Sequence, residues 1–165
     1  MKTPNLITLV AMVVALGSNA LADAQLNSPT VAFKSENWKV LYYKDVMSDK
    51  ITCTGFYRDD YGVQLTANSL LIRVAGGLES MTLRFGDEQI SPPRNLTDLE
   101  RSSGIVELSG LEFAHVQSVN RIRYQASMRL SRYNAGDIDL TGLKQALENI
   151  NANCPVPRVA SVASK

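Results

Sequence analysis

The sequence contains two cysteines, Cys53 and Cys154. No other pair of residues limits the fold so strongly, because a bridge between them would tie an early part of the chain to its end. The loop it closes spans about a hundred residues, for which a chain-entropy treatment gives on the order of 4.7 kcal/mol of stabilisation. Whether such a bridge forms depends on the compartment, and the N-terminus addresses that. Lys2 supplies a short positive region, Leu6 to Leu16 form an apolar run, and Ala20 and Ala22 fall at the two small positions of an A-x-A cleavage site. Residues 1–22 are therefore read as a leader, with the mature chain beginning at Asp23, although cleavage after Ala24 also fits. The apolar run is shorter than the roughly twenty residues a spanning helix needs. No later segment approaches that length, and no cysteine follows the run to carry a lipid. These features predict export of a bacterial type, to the periplasm or beyond, without a stable membrane anchor. In that setting Cys53 and Cys154 are expected to pair. A metal or redox role is disfavoured by the lack of a C-x-x-C motif and by the single histidine.

Removing 22 of 165 residues leaves 143, a length that suits one domain with one core. Loss of Lys2 turns 17 basic against 16 acidic residues into a balance of 16 and 16, so nucleic acid is not expected as the partner. The chain divides into the leader 1–22, an N-terminal extension 23–35, a single β-rich domain 36–155 and a mobile tail 156–165, with Pro155 and Pro157 ending the fold.

Short strands dominate the first half. Trp38 to Lys44 alternates with Trp38, Val40 and Tyr42 on one face, and Ile51 to Arg58 carries Cys53, with a turn from Asp45 to Lys50 between them. Ser69 to Val74 and Ser80 to Phe85 flank Gly76 and Gly77 as a hairpin would. Asn95 to Ser103 reads as a polar connection with a helical turn. In the second half Ile105 to Leu108 is a short strand, and Ser109 with Glu112 resembles a capping box opening a helix to about Val119. The clearest alternation runs from Arg121 to Leu130: Ile122, Tyr124, Ala126, Met128 and Leu130 face one way, and Arg121, Arg123, Gln125, Ser127 and Arg129 the other. A turn at Asn134 to Asp137 and a strand at Ile138 to Leu140 lead to Leu143, Ala146, Leu147 and Ile150, whose spacing marks a helix with an apolar stripe. The expected fold is α+β: an antiparallel β-rich sheet or sandwich with a C-terminal helix packed on it and one disulfide.

The ending from Asp137 to Pro155, DIDLTGLKQALENINANCP, together with Trp38 at the domain's start and Cys53 on an early strand, resembles small exported proteins of the invasion-associated locus B type. It is similar too to accessory periplasmic proteins of type VI secretion systems, of the TagO or VasI kind. The resemblance implies a non-enzymatic envelope protein with a compact β-rich domain, and it brings no functional residue with it.

Several constellations bear on chemistry. Asp137, Asp139, Thr141, Gly142 and Glu148 match loop positions of a calcium-binding EF-hand. Lys144 spoils the pattern and a strand replaces the leading helix, so capping by Asp139 or Thr141 is preferred. His115 is the only imidazole, with Glu112 and Ser118 near it in sequence but no signature partner. Asp59 and Asp60 read as turn residues, and Asn95-Leu96-Thr97 is an incidental sequon. No catalytic residue, metal site or cofactor is assigned. The most suggestive surface is the set Arg121, Arg123, Arg129 and Arg132, the last placed in a following turn, as a candidate contact for an acidic partner. The expected function is an exported periplasmic binding or accessory protein of the envelope or a secretion system, whose partner is another envelope or secreted protein. The alternative is a small exported hydrolase or inhibitor-like virulence factor; oligomeric state is left open.

Overall fold

The computed structural model describes residues 29–58, 60–74, 77–129 and 132–154. The expectations for the leader, for Leu130 and for the tail fall outside these residues. The strands are β1 (Thr30–Lys34), β2 (Trp38–Lys44), β3 (Ile51–Tyr57), β4 (Asp60–Leu65), β5 (Ser69–Arg73), β6 (Leu78–Phe85), β7 (Ile105–Ser109), β8 (Arg121–Met128) and β9 (Arg132–Asp139). The helices are α1 (Asp98–Ser103), α2 (Gly110–Ser118) and α3 (Leu143–Asn153). All pairings are antiparallel, in a six-stranded sheet ordered β1-β2-β3-β4-β5-β7 and a three-stranded sheet ordered β6-β8-β9.

Alternation explains the core. Trp38 and Val40 of β2, Cys53 and Tyr57 of β3, Leu65 of β4, Leu70 and Ile72 of β5, and Val106 and Leu108 of β7 are buried. They form one cluster with Met81 and Leu83 of β6, Ile122 and Ala126 of β8 and Ile138 of β9. Helix α3 packs against β1, β2 and β3 through Leu143, Ala146, Leu147 and Ile150, the stripe expected from its spacing. Gly55 makes room beneath it, since a Cβ there would stand 3.0 Å from Leu65 Cβ and 3.6 Å from Ile150 Cδ1. The Cys53–Cys154 disulfide, with Cα atoms 5.8 Å apart, fixes the end of α3 to β3. The fold is thus the antiparallel α+β arrangement with a packed C-terminal helix and one disulfide.

Local turn signals misled where long-range pairing decided the outcome. The segment 23–35, read as an extension, contains β1, which pairs with β2 over Thr30 to Lys34. The strands flanking Gly76 and Gly77 form no hairpin: β5 pairs with β7 and β6 with β8. Leu70 and Ile72 find Leu108 and Val106 opposite them, while Leu83 and Phe85 meet Tyr124 and Ile122. Apolar cross-strand partners outweigh two glycines as a pairing signal. Asn134 to Asp137 is strand rather than turn, because β8 and β9 pair continuously from Arg121 with Asp139 to Met128 with Arg132. Arg132 therefore opens β9 instead of lying in a turn.

The capping box lies one helix earlier than expected. Ser109 precedes α2 without a side-chain cap, and Glu112 is drawn to Arg94. At α1, Thr97 Oγ1 accepts the Glu100 amide at 3.2 Å while Glu100 Oε2 accepts the Thr97 amide at 2.8 Å. Residues 91–100 serve both sheets. The Ser91 and Arg94 amides donate to the Leu83 and Met81 carbonyls at 2.8 Å each, covering the outer side of β6. Arg94 Nη2 donates to the Glu107 carbonyl and Glu100 Oε1 accepts the Glu107 amide, both at 3.4 Å, which covers β7.

Candidate functional site

The strand period sends Thr82 and Arg84 of β6, Arg123 and Gln125 of β8, and Ala135 and Asp137 of β9 to the face of the small sheet opposite its buried residues. With Ile90 they line a depression of about 510 Å³. Arg84 and Arg123 are directly opposed across β6 and β8, an arrangement of like charges that costs stability unless each finds compensation. The turn after β6 provides it. Arg84 Nε donates to the Glu88 carbonyl at 2.8 Å and Nη2 to the Asp87 carbonyl at 3.4 Å. Arg123 Nη2 donates to the Gly86 carbonyl at 3.2 Å and lies 3.5 Å from Asp87 Oδ1. Arg123 Nε is buried without a partner. Two guanidinium groups thus stand side by side in the depression, oriented by the same three-residue turn.

The arginine set is divided rather than continuous. Arg121 Nε lies 3.4 Å from Asp137 Oδ1, and both side chains are about half exposed, 51% and 52%, so the attraction is worth little. Arg129 and Arg132 are exposed and make no ion pair among the described residues. They stand at the other end of the β8–β9 pair, about 26 Å along the strand at the usual rise per residue. Two partly compensated arginines therefore occupy one end of the face and Arg129 the other. Arg132, directly opposite Met128, projects to the opposite side of the sheet and is not part of the face. Arg84 was missed from the sequence, although the alternation of Ser80 to Phe85 already set it opposite Met81 and Leu83.

The histidine lies outside this depression. His115 Nε2 is 2.8 Å from Glu88 Oε1, and its ring stacks on Phe85 with centroids 4.4 Å apart. Of its sequence neighbours, Glu112 pairs with Arg94, and Ser118 Oγ donates to the His115 backbone carbonyl at 2.7 Å. The serine hydroxyl is thus committed to the helix's own backbone, not to the imidazole. The EF-hand spacing is dispersed as well. Asp137 faces Arg121, Asp139 Oδ1 accepts the Thr141 amide at 2.9 Å, and Gly142, at φ +85°, is the N-cap of α3 without a side-chain cap. Neither Asp139 nor Thr141 caps that helix. The Thr141 amide and hydroxyl hold the Asp139 carboxyl below its ordinary range, outweighing partial burial, with help from Asn37 and Arg58. Among the described residues no group of three or more His, Cys, Asp or Glu side chains could hold a metal ion. Asp59 lies outside those residues.

One buried ionic cluster was not foreseen. Arg94 pairs with Glu112 and lies 3.6 Å from Glu100 Oε1, the Arg94 side chain being 16% exposed. Burial pushes the Glu100 carboxyl up, but hydrogen bonds from Thr97 and the Glu107 amide and the charge of Arg94 outweigh it, leaving Glu100 below its ordinary value. The cluster joins the 91–100 segment to α2 and β7, and its role is architectural.

No protein-family model matches the chain, and neither does any curated protein or solved structure. Among the described residues no helix is long and apolar enough to cross a membrane.

Proposed function

We propose that this is an exported periplasmic or secreted accessory protein without catalytic activity, which binds an extended acidic segment of another envelope or secreted protein along the outer face of β6, β8 and β9. The observation that carries the proposal is the uncovered depression in which Arg84 and Arg123 are held side by side by the turn at Gly86 to Glu88. Guanidinium groups oriented in advance lose less freedom on meeting a carboxylate. Arg129 extends the positive character of this face lengthwise, which suits an extended partner better than a compact ligand. Export is supported by the leader pattern of residues 1–22 and by the Cys53–Cys154 bond. The resemblance of the Asp137–Pro155 ending to exported envelope and secretion accessory proteins points the same way. A hydrolase built on His115 would need a nucleophile beside it, and the Ser118 and Glu112 contacts argue against those two residues in that role.

The test is capture from a periplasmic extract by the wild-type domain and by an Arg121→Gln, Arg123→Gln, Arg129→Gln variant. Capture that falls several-fold in the variant at low ionic strength, and falls for the wild type as salt is raised, is the expected outcome. Equal capture by both at low salt would remove the arginine face from the function.

A further inference from the structure

Four strand edges bound the two sheets, and they are treated differently. The outer side of β6 is covered by the Ser91 and Arg94 amides. That of β7 is covered by the Arg94 and Glu100 side chains. Strand β1 is short and its register shifts between Val31 and Phe33, an irregularity that discourages further pairing. Strand β9 has eight residues, a regular ladder with β8, and no strand beyond it among the described residues.

The direction of its backbone groups follows from two bonds. The Leu140 amide donates toward β8, to the Asn120 carbonyl at 2.9 Å. The Asp139 amide points away from β8 and donates to the Tyr57 hydroxyl at 3.1 Å. Antiparallel ladders alternate, so with the regular register of β9 the N–H and C=O groups of Tyr133, Ala135 and Asp137 also face the open edge. The stretch between the end charges, Tyr133-Asn134-Ala135-Gly136, has none of the lysines, prolines or bulges by which open edges are usually protected. Arg132 stands at its start and Asp137 and Asp139 at its end.

We infer that β9 pairs antiparallel with β9 of a second copy of this chain, about a two-fold axis at Ala135. In this register Tyr133 lies opposite Asp137 of the second copy, Ala135 opposite Ala135, and Asn134 opposite Gly136. Each outward-facing residue then meets another outward-facing residue, so the strands exchange backbone hydrogen bonds at Tyr133–Asp137, Ala135–Ala135 and Asp137–Tyr133. Antiparallel self-pairing sets the Arg132 end of each strand beside the acidic end of the other, with Arg132 on the inner face and Asp137 and Asp139 on the outer one, whereas parallel self-pairing would set like-charged ends together. Side chains of facing residues project to the same side. The Tyr133 ring, 70% exposed in the single chain, is thereby covered by Asp137 of the second copy and the Arg121 it holds. The two three-stranded sheets become one of six strands, with a depression on each side of the axis.

The experiment is sedimentation velocity of the mature, disulfide-bonded chain from low micromolar to several hundred micromolar, with three variants. The wild type should shift from monomer toward dimer with rising concentration. Ala135→Asp sets two carboxylates against each other on the axis, and Ala135→Pro removes an edge-facing amide without touching the β8 ladder. Both should remain monomeric with an unchanged circular dichroism spectrum. Ala135→Cys should be crosslinked to a covalent dimer by a short bis-maleimide, whereas Leu99→Cys on α1 should not. A wild type that stays monomeric at every concentration would overturn the inference. So would a dimer that survives Ala135→Asp, or crosslinking no better at 135 than at 99, either of which would assign association to another surface.

Discussion

The hydroxyl of Tyr57, on β3 of the large sheet, accepts the amide proton of Asp139, on β9 of the small one, at 3.1 Å. The Tyr57 ring is 7% exposed and packs edge-on against Trp38 with centroids 5.6 Å apart. This phenol therefore contributes apolar packing and one polar tie between the sheets. Tyr57→Phe keeps the ring and orphans the amide, and should cost about 1–2 kcal/mol of unfolding free energy. Tyr57→Ala also opens a cavity and should cost about 3–5 kcal/mol, as for other large aromatics in cores. Urea unfolding of the two variants checks both values; equal losses would mean that the hydroxyl, not the ring, carries the contribution.

The disulfide should behave as a staple for α3. Its loop spans 101 positions, so replacing both cysteines by alanine should lower stability by about 2–5 kcal/mol. The loss should be felt first in α3, whose stripe meets β1, β2 and β3 but whose last turn is held by Cys154. Hydrogen exchange of the double variant should show amides of residues 146–153 opening before those of β8. Uniform protection across both elements would mean that the bridge acts only on the unfolded chain.

Glu100 gives a pH dependence whose sign can be worked out. Its folded value lies below the ordinary carboxylate value, because hydrogen bonds from Thr97 and Glu107 and the charge of Arg94 outweigh the opposing effect of burial. The unfolded chain takes up the proton first as pH falls. The stabilisation is therefore complete above the ordinary carboxylate value and is lost as pH drops through the lowered one. Glu100→Gln should be less stable than wild type at pH 7, and the difference should narrow toward pH 3. Melting temperatures at both pH values test this, and a constant difference would mean that the carboxyl is not preferentially ionised in the fold.

Regular alternation was legible in the sequence wherever both the pattern and its partner were strong. Trp38, Val40 and Tyr42, the Arg121 to Met128 strand and the α3 stripe all form as the spacing demands, and the cysteines meet. What could not be read was pairing across long separations. Gly76-Gly77 and the Asn134 to Asp137 stretch contain good turn formers, yet each strand flanking the former pairs elsewhere, Leu70 meeting Leu108, and the latter lies within the full β8–β9 ladder. The site shows the same division. The spacing placed Arg121, Arg123 and Arg129 on one face, but it could not show that Asp137 and Asp87 would compensate two of them, or that Arg84 would stand beside Arg123.

Gly136 shows how one such turn former serves within a strand. A Cβ there would lie 2.3 Å from Tyr124 Cε1 and 2.5 Å from Cζ, because the Tyr124 ring occupies the space above the glycine. The Tyr124 hydroxyl continues across it to donate to Asn134 Oδ1 at 3.3 Å. Gly136→Ala favours the extended backbone but must displace the ring, so it should destabilise by about 1 kcal/mol despite the gain in strand preference. Combining it with Tyr124→Ala should remove that penalty. A double-mutant cycle measures the coupling, and strict additivity would mean that the ring moves aside at no cost.

The divided arginine face predicts divided kinetics for a captured acidic partner. Arg129 and Arg132 make no ion pair among the described residues, so their field reaches solvent unopposed and should act on encounter. Arg123 is anchored to Gly86 and Asp87 and lines the depression, so it should act after docking. Arg129→Gln with Arg132→Gln should then lower the association rate several-fold at low salt, with the effect fading as ionic strength rises past the point where the screening length falls below about 10 Å. Arg123→Gln should leave association nearly unchanged and speed dissociation. Surface plasmon resonance with the captured partner at two salt concentrations separates the two effects. If all three substitutions slowed association equally and left dissociation untouched, the face would act through its summed charge alone, and the depression would have no part in holding the partner.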